Sequence, residues 1–168
     1  MAVEDVNTKV TENDNIIDVD LSVIKKQRFR INRDNSKILE LNTSDMGIIA
    51  RLNEMYPKLI KLQEKVATLA DMEDDADGDT EILSTAAKKL TEIDTEMRES
   101  LDYIFQTNVS EVCGSEGSMY DPIDGVFRYE HIVETLMKLY EDNLNTEFKK
   151  LKNNLKSRTA KYTKSRKR

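Results

Sequence analysis

Seven apolar residues set the strongest constraint on this chain. Ile48, Leu52, Met55, Leu59, Leu62, Val66 and Leu69 recur at spacings of 4, 3, 4, 3, 4 and 3. A 3-4 alternation held for about three heptads places all seven on one narrow stripe of an α-helix, the kind of seam that packs against another helix. Pro57 falls inside the seam without shifting its phase, so the spacing predicts a kinked helix and not two separate ones.

Two further stripes follow. Leu83, Ala86 or Ala87, Leu90, Ile93, Met97, Leu101 and Ile104 mark a second amphipathic helix. Val133, Met137, Tyr140, Leu144, Phe148, Leu151 and Leu155 mark a third. The expected helices cover about 45–71, 80–106 and 127–155, the first two forming an antiparallel hairpin. Thr43, Ser44 or Asp45 can cap the first, and Asp79 the second. Residues 107–127 read as irregular, with Asp121-Pro122-Ile123-Asp124-Gly125 as a type I turn.

Ahead of the helices the period changes to two. Phe29 and Ile31 alternate with arginines, Leu39 and Leu41 flank Glu40, and turn formers fill Arg33 to Ser36. This predicts a β-hairpin with a four-residue loop. Ile17, Val19, Leu21 and Val23 alternate with Asp18, Asp20 and Ser22, the pattern of a third, half-buried strand. Residues 1–15 are polar and aperiodic and are expected to be disordered. The expected fold is therefore mainly α: disorder over 1–15, a hairpin region over 16–42, a helical domain over 43–155 and a basic tail over 156–168.

Charge divides the chain. All 32 acids lie within residues 1–148 with 16 of the 26 basic residues, a net of about −16, while residues 149–168 hold the other 10 basic residues and no acid. Such a tail seeks an anionic surface, but the acidic body disfavours a phosphate backbone, and Tyr162 is the tail's one aromatic residue. No apolar run reaches the roughly 18 residues of a membrane span, and the polar start "MAVEDVNTKV" does not read as a secretory signal. One cysteine cannot form an internal disulfide, so a reducing compartment, a cytoplasm, is expected.

Candidates for chemistry are weak. "MEDDADGDTEI" resembles a calcium loop with Gly78 at position 6 and Asp75, Asp77 and Glu81 at 3, 5 and 9. Position 1 is then Glu73, and Ser84 at position 12 cannot supply the bidentate carboxylate, so a solvated turn is the better reading. Cys113 and His131 could in principle form a nucleophile and base, but Glu111 and Glu116 beside the thiol oppose its ionisation. Zinc ligands and phosphate-binding glycine loops are lacking. The sequence predicts no enzyme, no cofactor and no metal. It predicts a protein that grips other polypeptides through Ile48, Leu52, Met55, Leu59, Leu62, Val133, Met137, Tyr140 and Leu144, with homo-oligomerisation expected and neither membrane nor nucleic acid as the main partner.

Three stretches, "FRINRDNSKILELNTSDMGIIARLNEMYPKL", "NVSEVCGSEGSMYDPIDGVFRYEHIVETLMKLYEDN" and "TAKYTK", together resemble a short protein encoded in the tail-gene region of phages and prophages of Gram-positive, clostridia-type bacteria. The resemblance covers about residues 20–164. It implies a tail assembly chaperone: a small, acidic, largely helical protein, often with an N-terminal β-hairpin, that self-associates and coats the tape measure protein before tail-tube subunits polymerise. A minor structural component of the tail, or a nucleic-acid-associated factor using the basic tail, are the alternatives. The implied location is the host bacterial cytoplasm or the virion tail.

Overall fold

The computed structural model describes residues 15–75 and 78–166. Its elements run β1 (Gln27–Arg30), β2 (Ile38–Leu41), α1 (Gly47–Asp75), α2 (Thr80–Phe105), α3 (Val109–Cys113), β3 (Pro122–Ile123), β4 (Val126–Phe127) and α4 (Arg128–Arg166). The chain is mainly helical, with an N-terminal two-stranded antiparallel hairpin ahead of long helices, as its periodicities require.

The hairpin pairs Phe29 with Leu39 and Gln27 with Leu41, so one face carries Leu39 and Leu41 into the core and the other leaves Arg28 and Glu40 as a solvated ion pair. Period 2 dictates this split. The loop is longer than expected, running from Ile31 to Lys37. Asn32 and Arg33 both take positive φ, and the Asp34 carboxylate accepts from the backbone N–H and hydroxyl of Ser36. Those two bonds hold the Asp34 carboxyl below its usual range.

The third strand does not form. Ile16, Ile17, Val19, Leu21, Val23 and Ile24 are all exposed. Asp20 accepts from the Ser22 N–H and the Leu21 carbonyl accepts from the Ile24 N–H, so a local turn occupies backbone groups that a ladder would need. Residues 1–14, the rest of the expected disordered segment, lie outside the described residues.

Helix α1 opens where Asp45 accepts from the Gly47 N–H at 2.8 Å, and it continues through Pro57 to Asp75. Unbroken seam phase across the proline is the reason. Gly78 takes φ +82, which Cβ-bearing residues rarely adopt, and turns the chain toward α2. Asp79 then caps α2 by accepting from Glu81 and Ile82 N–H. The two helices pack along their seams, burying Ile48, Leu59, Leu62 and Leu69 of α1 with Ala86, Ile93, Met97, Leu101 and Ile104 of α2. Arg51 fastens the far end by donating to the Ile104 carbonyl at 2.8 Å, near the α2 C-terminus where a cation is favoured.

The stretch expected to be irregular contains structure of its own. α3 is a single short helix, held by Asp102 accepting from the N–H and hydroxyl of Ser110. Asp124 and Gly125 both have positive φ (51 and 81) and join β3 to β4 as a two-residue primed turn. The Asp-Gly pair carries that signal, and it overrides the type I reading built on Pro122.

α4 starts on the body and leaves it. Gln63 donates to the Tyr129 hydroxyl and to Glu130, and Asn143 donates to Ser44, so the first half of α4 runs antiparallel to α1 from the level of Gln63 back to the start of that helix. Tyr129, Leu136 and Tyr140 are buried there. From Asn145 the helix continues past the body to Arg166, eleven residues beyond the expected end at 155. No glycine or proline follows Gly125, so nothing in the tail stops a helix rich in Lys, Arg, Leu and Ala.

Candidate interaction surface

All nine residues expected to bind a partner sit against this chain's own core. Ile48, Leu59, Leu62 and Tyr140 are at most 2% exposed. Leu52, Met55, Val133, Met137 and Leu144 are half-buried and pack against the same cluster. The seams are satisfied largely within one chain, because α1 meets α2 lengthwise and the first half of α4 covers what remains. Only the outer flank of the half-buried members faces solvent.

The surface open to another polypeptide lies farther along the same third stripe. Phe148 is 38% and Leu151 is 52% exposed on the projecting half of α4. With Leu144 they flank a notch of about 240 Å³ whose other wall is Ser44 and Met46 at the start of α1. Met46 is itself half-exposed, and the sequence carries no signal for it because it precedes the helix and belongs to no periodic stripe. Ten basic residues follow Phe148 in the sequence, so this stripe is apolar along one line and positive beyond it.

A second open surface lies at the opposite end of the molecule. It lies on the side of α1 away from Gln63, the residue that α4 meets. A groove of about 740 Å³ remains there, with Leu69, Met72 and Ile93 along it and Lys61, Lys65, Lys89, Glu64, Glu92 and Glu96 at its rims. It ends at the α1–α2 connection, where residues 71–81 hold seven acids and no base. The side chains of Glu73, Asp75 and Asp77, weighed above for calcium, lie outside the described ones.

Cys113 and His131 occupy separate local settings. The thiol ends α3, half-buried, and burial with Asp102 nearby pushes it up to about 11. Burial thus disfavours the thiolate, which makes Cys113 a poor nucleophile. His131 Nε2 lies 2.7 Å from the Ile123 carbonyl oxygen and ties α4 to β3. Among the described residues no group of three or more His, Cys, Asp or Glu is placed to hold a metal ion. Among them, too, no helix is long and apolar enough to cross a membrane.

No known protein family, curated protein or solved structure matches the chain.

Burial at the α4 contact has a measurable consequence in alkali. Tyr140 is pushed up to about 12, chiefly by burial and then by Asp45, from an ordinary 10.0, and Cys113 to about 11 from 9.0. Both are acids whose folded pKa lies above the unfolded one. The stability they confer is full below the unfolded values and is lost as pH rises through the folded ones. The melting temperature is therefore expected to fall between about pH 9 and 12, with phenolate absorbance from Tyr140 appearing only as the bundle opens. A Tyr140 that titrates near 10 in the folded chain would contradict its burial against α1.

Proposed function

We propose that this chain is a non-enzymatic phage tail assembly protein of the chaperone type. It grips a helical segment of another polypeptide, such as the tape measure protein, through the apolar stripe on α4. The observation that supports this most is the run of Leu144, Phe148 and Leu151 along α4, exposed at Phe148 and Leu151, beside the open notch at Met46. Helix-in-groove recognition needs such a line of anchors at 3-4 spacing. Resemblance to phage tail-region proteins supplies the identity of the partner. The nine seam residues act mainly by holding the body together, with the outer flanks of Leu144 and Met137 leading into the stripe.

An amphipathic helical peptide from a phage tape measure protein is the direct probe. Titration calorimetry is expected to show binding by the wild-type chain and at least a tenfold loss for F148D/L151D, with circular dichroism and melting unchanged. Equal binding by both would remove the stripe from the reading.

The basic half of α4 favours a second reading, binding to nucleic acid. It predicts affinity that falls steeply with salt and vanishes on deletion of residues 156–168. Binding that ignores salt would exclude it.

A further inference from the structure

The large apolar side chains between Ile16 and Ile24 are 60–88% exposed. So dense a solvated apolar stretch on a folded chain marks a contact surface. Residues 15–24 also hold Asp18 and Asp20 and no base. One end of this segment is fixed in place. It leads into β1, where the Gln27 side chain accepts from the Thr43 hydroxyl at 3.0 Å. The next residue, Ser44, lines the notch at Met46 and accepts from Asn143 of α4 at 3.1 Å. The segment is therefore tethered beside the notch wall, at the point where the exposed stripe of α4 begins.

Reach suffices. The three residues from Gln27 back to Ile24 span about 10 Å when extended, and Leu21 to Ile16 about 16 Å more. Along α4, Asn143 to Leu151 covers about 12 Å.

Chemistry matches over that length. Leu144, Phe148 and Leu151 form a line no wider than a coiled-coil seam. Lys149, Lys152 and Lys156 stand along one flank of it at i, i+3 and i+7, all exposed. Lys150 is held by Glu147 at 3.3 Å, whereas among the described residues none of those three lysines is in an ion pair. In an extended chain Ile17 and Val19 share one side and Asp18 and Asp20 the other. Such a chain can lay its apolar side on the seam and keep its carboxylates in water near the lysines.

We infer that residues 16–24 are a strap that closes over the exposed stripe of the same molecule's α4. A short tether supplies an effective concentration of about millimolar, which a second copy at micromolar concentration does not match. The inference rests on the stripe of the proposed function: the strap occupies Phe148 and Leu151 until a client helix displaces it.

Full-length C113S/L151C carries a single thiol on that stripe. Its labelling by a maleimide is expected to be at least about tenfold slower than in the same chain with I17D/V19D, with circular dichroism unchanged. The slow rate is expected to be the same at about 1 and 100 μM protein. Oxidised C113S/V19C/L151C is expected to link within one chain and to run at 19.4 kDa on a non-reducing gel. Equal labelling with and without I17D/V19D overturns the strap. Protection that grows with protein concentration overturns it as well, because the cover would then come from another copy. Tape measure peptide that binds wild type and not F148D/L151D, combined with equal labelling rates, sinks the strap and leaves the proposed function standing. Slow labelling released by I17D/V19D, with no peptide bound even by the released chain, keeps the strap and removes the client.

Discussion

Replacing Arg98 with alanine is expected to destabilise the chain by about 3 kcal/mol and to lower its melting temperature by about 10 °C. From α2 the guanidinium reaches Asp94 at 2.8 Å, the Ser110 carbonyl at 3.1 Å, the Gly114 carbonyl at 3.0 Å and the Gly117 carbonyl at 2.6 Å. Asp94 in turn accepts from the Met119 N–H at 2.7 Å, and Met119 is fully buried. One ion pair thus holds the end of α3 and the connection to β3 against the bundle. Alanine would leave three carbonyls without that donor and a largely buried carboxylate without its cation, and stranded groups of this kind cost more than the net worth of the bonds removed. Lysine at 98 keeps the charge but not the planar fork, so R98K is expected to recover less than half of the loss. Thermal melts and amide exchange over 110–119 check both. A melt for R98A within about 2 °C of wild type would mean that the loop holds itself.

That network was invisible in the sequence for a physical reason. Asp94 and Arg98 stand at i and i+4, the spacing of an ordinary solvated helix pair. Their work is done on backbone carbonyls 12 to 19 residues away, and carbonyls have no sequence signature. The long helices were legible because a 3-4 stripe reports its own geometry. Asp45 and Asp79 were legible as caps because side-chain oxygens at helix starts have few other uses there. The strand at 17–23 misled because alternation states only what a strand would bury, and no surface covers it; Asp20 and Ser22 close a turn instead. A stripe likewise does not say whose helix it meets. Leu59 and Leu151 belong to equally regular patterns, yet one faces α2 and the other faces solvent, and only the path of the chain separates them.

That separation gives the sharpest contrast between variants. Leu59→Asp is expected to cost about 4 kcal/mol or more and to abolish the cooperative melt, because Leu59 is 1% exposed between α1 and α2 and a carboxylate there has neither water nor a cation. Leu59→Ala, which only leaves a cavity, is expected to cost about 2–5 kcal/mol and to retain the fold. F148D/L151D carries two new charges yet is expected to shift the melt by no more than about 2 °C, because both positions already meet solvent. Binding is expected to follow the opposite order at temperatures where each variant is folded: lost in F148D/L151D, kept in Leu59→Ala. Were Leu59→Asp to fold normally and lose only its partner, the α1 seam would be a surface and not a core. α2 would then have to be displaced from it, and the antiparallel α1–α2 hairpin could not be the resting arrangement of the chain.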